Sequence, residues 1–203
     1  MDIKSFIDKH EIISNILNLA GLGAMFLFAG FYGKIKEWLE KKTNDKFERS
    51  INKTSLIRDN LAELRAITGA ARVMLFQLHN GQYYFSGEGA DKMSLTHFVV
   101  DSGVAVPDRA GTRLQNIPVA YWPDAFKEMT ASGYFGKDAS QFTDPFTAQM
   151  FSLDGVDYAV IGPVKDRRGF WRGVLIVCNM DGSKPSHEDC AIYGQKIGDL
   201  LSL

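Results

Sequence analysis

Arg72-Val-Met-Leu-Phe-Gln-Leu-His79 and Met93-Ser-Leu-Thr-His-Phe-Val-Val100 decide how this chain is read. Both runs are rich in β-branched and large apolar side chains, and both read as strands of a first hairpin. The second alternates only loosely between two faces. Asn80-Gly81 tolerates positive φ and is predicted to end the first strand. The stretch from Gln82 to Lys92 is too long for a two-residue turn, so the dipeptide stops the strand without closing the pair.

Reading outward toward the C-terminus, Asp101–Asp154 is long and mixed. It holds two predicted short helices, Asp124–Thr130 and Asp144–Phe151, each opened by an aspartate able to cap it. A connection of this length suggests a lid or binding segment. Val156–Val164 reads as a strand, with Pro163 at an edge position or at its end. Asp166-Arg167-Arg168-Gly169 is a hairpin turn, and Phe170–Met180 is the strongest strand pattern in the chain. Pro185–Leu203 is a closing helix, with Ser186 as N-cap, Asp189 as its capping-box partner and Ile192, Ile197, Leu200 and Leu201 on its apolar face.

Toward the N-terminus, Lys34–Thr68 contains neither Pro nor Gly, and its composition predicts a helical stalk that ends at Gly69. Its apolar residues, Ile35, Leu39, Phe47, Ile51, Ile57, Leu61, Leu64 and Ile67, recur at three- and four-residue steps. The stripe breaks at Lys42–Lys46, where Thr43-Asn44-Asp45 suggests a hinge or a new N-cap. Ile57–Ile67 should pack on the sheet or on a second copy. Ile12–Gly33 has no ionisable side chain except Tyr32, and as a helix it extends about 33 Å, enough to cross a hydrocarbon core. An interfacial amphipathic helix is the alternative, but the apolar character all round from Leu19 to Tyr32 favours a span. Lys4 and Lys9 precede it. Lys34, Lys36, Lys41, Lys42, Lys46, Arg49 and Lys53 follow, which places the C-terminal part in the cytoplasm of a single-pass protein of the cell (inner) membrane. Four segments result: a tail at 1–11, a transmembrane helix at 12–33, a stalk at 34–68 and an α/β (α+β) domain at 69–203. Ala20/Ala24 and Ala29/Gly33 have the spacing of close helix pairs, and one tethered stalk meets another at high effective concentration, so a homodimer is expected.

The composition fits a globular domain with an appendage: 203 residues, 45% hydrophobic and 23% charged. A net charge of −1 argues against a nucleic-acid partner bound through phosphate neutralisation. Cys178 and Cys190 are too few for a disulfide framework and lack metal-ligand spacing.

Ala70-Ala-Arg-Val-Met-Leu-Phe-Gln-Leu-His-Asn-Gly81 after an amphipathic helix, together with Val160-Ile-Gly-Pro-Val-Lys-Asp-Arg-Arg-Gly-Phe-Trp-Arg-Gly-Val-Leu-Ile-Val177, resembles a GAF domain, the sensory relative of PAS. The resemblance covers about Leu56–Leu203. It implies an antiparallel sheet flanked by helices, and a stand-alone, membrane-tethered module. Such domains bind cyclic nucleotides, tetrapyrroles, small metabolites or haem between sheet and helical middle, or bind nothing and dimerise. Neither cysteine matches a bilin-attachment position, and the cyclic-nucleotide pattern is missing.

The candidate ligand-binding residues are His79, His97, Arg109, Arg113, Tyr121 and Trp122. If the first two strands are neighbours, both imidazoles could reach one pocket, although such a histidine more often serves its own turn. Arginines and aromatics in a lid could hold a planar anion by stacking and paired hydrogen bonds. Equally, Trp122, Phe126, Phe135, Phe142 and Phe146 could form a second small core. No catalytic set and no metal site are predicted: a Gly-x-Ser-x-Gly elbow is missing, as is a phosphate loop. The cofactor is unknown. The expected function is a membrane-anchored, non-catalytic sensory or binding module for a small molecule or a partner. The alternative is a structural or interaction scaffold with a closed pocket, for example of viral origin.

Overall fold

The structure is a computed structural model that describes residues 3–83, 89–107 and 113–202, with side chains omitted at 3–30, 33, 37, 80–83 and 89–90. The chain divides into two units, Met1–Ile51 and Asn52–Leu203. Helix α1 (Ile3–Thr68) supplies everything described of the first and opens the second. The second continues with strands β1 (Arg72–Tyr83), β2 (Gly89–Val100) and β3 (Ile117–Pro118), helix α2 (Pro123–Ser132), strand β4 (Phe135–Asp138), helix α3 (Pro145–Leu153), strands β5 (Tyr158–Lys165) and β6 (Trp171–Asn179), and helix α4 (His187–Ser202). Short 3-10 turns at Val119–Tyr121 and Ala139–Gln141 precede α2 and α3.

The six strands form one sheet in the order β3-β2-β1-β6-β5-β4, and every neighbouring pair is antiparallel. Successive side chains of a strand point to opposite faces, and here both faces are covered. Val73, Leu75, Val160, Val164, Leu175 and Val177 pack with Ile57, Leu61 and Leu64 of α1 and Cys190, Tyr193 and Ile197 of α4. Met74, Phe76, Met93, Leu95, Ile161, Val174 and Ile176 pack with Trp122, Ala125, Met129, Met150 and Phe151 on the other side. The continuous apolar runs of β5 and β6 follow directly from this double burial.

Local chemistry sets the details. Thr96 is the extra residue of an irregularity in β2, since Leu75 pairs with His97 but Phe76 pairs with Leu95. This is why the alternation of that strand reads loosely. Pro163 pairs with Val174 of β6, while β4 stops opposite Ile161, so the missing proline N–H costs no ladder bond on that side. The Ser186 hydroxyl accepts from Asp189 N–H at 3.3 Å at the head of α4, as anticipated. The Tyr134 ring enters between Gly162 of β5 and Gly194 of α4, where any side chain would collide with it.

Several expectations are corrected. Asn80-Gly81 does not end β1: pairing continues at Asn80 with Asp91 and, after an irregularity, at Tyr83 with Gly89, so both strands are longer than predicted. A partner strand supplies hydrogen bonds that outweigh the turn preference of the dipeptide. Thr43-Asn44-Asp45 lies inside α1, and the Thr43 hydroxyl donates to the Leu39 carbonyl at 2.8 Å in place of starting a new helix. Helix α2 opens on Trp122 and Pro123, not on Asp124. Strands β3 and β4 were not expected within the middle segment. The proposed span at Ile12–Gly33 falls mostly on residues whose side chains lie outside the described ones; among the described residues no helix is long and apolar enough to cross a membrane.

Of the stalk stripe, Ile57, Leu61 and Leu64 are buried against the sheet whereas Ile67 is 54% exposed. Leu61→Ala should cost about 3 kcal/mol and Ile67→Ala no more than about 0.5 kcal/mol. Urea unfolding of the full chain in mild detergent measures both.

Candidate functional site

The space between the sheet and α2/α3 is where the sequence placed a ligand pocket, and its occupants are the protein's own side chains. Trp122 is 0% exposed. Its ring lies 5.9 Å from Phe76 and 6.0 Å from Phe146, and Phe142 meets Phe151 edge-on at 4.9 Å. Offset and edge-on ring pairs of this kind fill volume and add to the stabilisation from burial.

A buried carboxylate fastens the two helices together. Asp144 stands at the N-cap position of α3, but its side chain accepts from the backbone N–H groups of Asp124 and Ala125 at the head of α2, both at 3.1 Å. The Thr143 hydroxyl donates to the Asp124 carboxylate at 2.7 Å. The aspartate expected to cap its own helix therefore caps its neighbour, with the helix dipole favouring negative charge there.

At the rim, a pocket of about 250 Å³ is lined by Arg113, Leu114, Phe146, Gln149, Met150 and Leu153. Asp154 lies beside it, 2.9 Å from Arg113 Nη2 and 3.3 Å from Nη1 of Arg72, whose residue is 2% exposed. One carboxylate thus serves two guanidinium groups. Sequence reasoning missed Arg72, Asp154 and the role of Asp144; the only signal was an arginine opening an apolar strand, which demands a buried counter-charge.

The six candidates fall into two places. Arg113, Tyr121 and Trp122 gather around Phe146, with Arg113 lining the pocket beside it and the Tyr121 ring 6.1 Å from it. Tyr121 is 54% exposed, whereas Trp122 faces the core. Arg109 lies outside the described residues. The histidines do not meet. His97 stands opposite Leu75 and His79 opposite Lys92, four positions apart along β1, or about 13 Å. His79 Nε2 is 2.9 Å from the Ser94 hydroxyl, which also accepts from Asn116 N–H at 2.8 Å. His97 Nδ1 is 3.0 Å from the Thr96 hydroxyl. His79 thus links β1 to β2 and His97 bonds within β2, and partial burial lowers the pKa of His97. Burial pushes the thiols of Cys178 and Cys190 up to about 12. Among the described residues, no group of three or more His, Cys, Asp or Glu could hold a metal ion.

On the opposite side, a groove of about 570 Å³ runs past Asn60 of α1, Arg167, and Lys196, Asp199, Leu200 and Ser202 of α4. It is open and mixed in charge.

Two predictions follow from these bonds. Asp144→Ala should destabilise the chain by about 2 kcal/mol, with Asp144→Asn, which retains one acceptor oxygen, recovering part of the loss in urea unfolding. Because the folded state holds His97 neutral below its ordinary range, the unfolded chain takes up the proton first. Stability should therefore fall as pH drops through the ordinary histidine range, and His97→Gln should flatten that slope in thermal unfolding across pH.

No family model matches the sequence, and no curated protein is significantly similar to it. Solved structures do share the fold. The phycoerythrobilin-bound GAF domain from a cyanobacterial phytochrome is 15% identical, with a TM-score of 0.53 over 80% of this chain and 90% of that one. A far-red cyanobacteriochrome photoreceptor is 13% identical, with a TM-score of 0.53 over 82% of this chain and 93% of that one. The blue-light-absorbing PixJ GAF domain of Thermosynechococcus elongatus is 13% identical, with a TM-score of 0.51 over 75% of this chain and 82% of that one. At these identities the likeness concerns architecture alone, and the architecture is GAF-like.

Proposed function

We propose that this protein is a membrane-anchored, non-catalytic GAF-like module that acts by contact with a protein partner, the first partner being a second copy of itself. The observation that carries this reading is the filled space beneath α2 and α3. Trp122, Phe76, Phe142, Phe151 and Met150 occupy the volume a small molecule would need. Entry of a ligand would require α2 and α3 to part and break the bonds made by Asp144.

Three features support the rest of the reading. Ile35, Leu39, Phe47 and Ile51 of α1 are exposed, and the pairs Ile35/Leu39 and Phe47/Ile51, each four residues apart on one row interrupted at Thr43, offer apolar contacts to a second helix. Ile12–Gly33 has the length and apolarity of an anchor. The lysines that follow it support a cytoplasmic position for the sheet-bearing unit. A second reading, small-molecule sensing in the same space, has its own observation: Trp122 Nε1 and Thr147 Oγ1 are buried without a hydrogen-bond partner. Desolvated donors of this kind are costly, and a polar ligand would satisfy them.

Native mass spectrometry of the full chain in detergent separates these readings. A bare dimer is expected, with Leu39→Glu/Phe47→Glu reducing it to monomer at unchanged circular dichroism. A bare monomeric wild-type chain contradicts the proposal, and a retained small molecule transfers support to the second reading. Alkaline carbonate extraction of membranes tests the anchor, since the chain should stay with the lipid.

A further inference from the structure

A short chain of charges runs inward from the rim of the domain. The side chain of Arg113, just before β3, is 36% exposed, that of Asp154, just after α3, 13%, and that of Arg72, at the start of β1, 3%. Asp154 stands between the two guanidinium groups and serves them unequally. Its Oδ1 accepts from Arg113 Nη2 at 2.9 Å. Its Oδ2 lies 3.3 Å from Arg72 Nη1, an ion-pair distance, yet neither Nη1 nor Nε of Arg72 makes a hydrogen bond. Among the described residues Asp154 is the one acid paired with Arg72.

A guanidinium buried this deeply carries a desolvation cost that only well-placed, hydrogen-bonded counter-charge offsets. A carboxylate does this best through two parallel bonds. Asp154 cannot turn both oxygens to Arg72 while Arg113 holds one of them. A second anion on the outer guanidinium would release it.

There is room for such an anion. The rim pocket of about 250 Å³ has Arg113 and Gln149 as its polar wall, and Leu114, Phe146, Met150 and Leu153 as its apolar wall. Leu114 and Met150 are buried, whereas Leu153 is exposed. The volume falls below the roughly 300 Å³ at which pockets for drug-sized molecules begin, and a guanidinium set against apolar walls selects a short acid with an apolar tail. The lining belongs to α3 and to the segment before β3, so occupancy leaves the bonds from Asp144 to the head of α2 in place.

We propose that this rim pocket binds a small monocarboxylate, its carboxylate on Arg113 and its tail against Leu114, Phe146 and Met150. Asp154 then turns from Arg113 to Arg72, and two cations face two anions. Binding is thereby passed to the first residue of β1, close behind the end of α1. An inorganic anion matches the charge but not the apolar walls. The site lies outside the filled layer, and the proposal does not depend on whether the chain pairs with a second copy.

The test is NMR of the full chain in lipid nanodiscs, with methionine methyl, arginine Nε and tryptophan Nε1 labels. Hexanoate is the probe. It should shift the Met150 methyl signal saturably and move Arg72 Nε–H downfield as that group gains an acceptor, while Trp122 Nε1–H stays in place. Neutral hexanamide should leave all three signals unchanged, and sulfate should bind more weakly than hexanoate. Arg113→Gln should weaken hexanoate about tenfold, and Arg113→Lys, which keeps the charge without the fork, should fall between the two. Circular dichroism confirms that both variants are folded. Hexanamide or sulfate binding as tightly as hexanoate overturns the proposal, as does full affinity in both Arg113 variants. So does the lack of any saturable shift, which leaves Arg72 to ordered water. Movement of Trp122 Nε1–H overturns it too, since the ligand then lies beneath α2 and α3.

Discussion

Everything in this structure depends on a sheet that must be dry on both faces. Alternation along β1, β5 and β6 sends one set of side chains toward α1 and α4 and the other toward α2 and α3. An antiparallel sheet can leave one face to water, but here neither face is polar enough to do so. The chain must therefore supply two covering layers. The last turns of α1 and the closing helix form one; the middle segment, folded back by the Asp144 bonds, forms the other.

The second layer decides what the domain can do. The layer formed by α2 and α3 is closed by aromatic packing centred on Trp122. On the outside of the molecule lie the exposed ridge of α1 and the groove beside α4.

Much of the architecture was legible in the residues. The long apolar runs of β5 and β6, the turn between them and the Ser186 cap are local signals, and all appear where they were read. Other features were not legible because their causes are not local. Strands β3 and β4 cover only Ile117–Pro118 and Phe135–Asp138, too short for periodicity to register, and exist because β2 and β5 offer edges. Asp144 looked like the cap of its own helix because nothing in the sequence shows that α2 begins beside it. Asn80-Gly81 looked like a stop, since the facing strand that extends β1 is not adjacent in sequence. For the site, the aromatic cluster was visible as a candidate core, but the separation of His79 from His97 depended on register, which two isolated strand patterns do not determine.

The closed middle layer is the claim from which the functional reading grows, and backbone hydrogen exchange of the full chain in lipid nanodiscs tests it most directly. Amides of α2 and α3 should exchange nearly as slowly as those of β5 and β6, because all four belong to one packed unit. Fast exchange across α2 and α3 above a slow sheet would contradict the account, for it would show a lid that opens in the absence of any ligand.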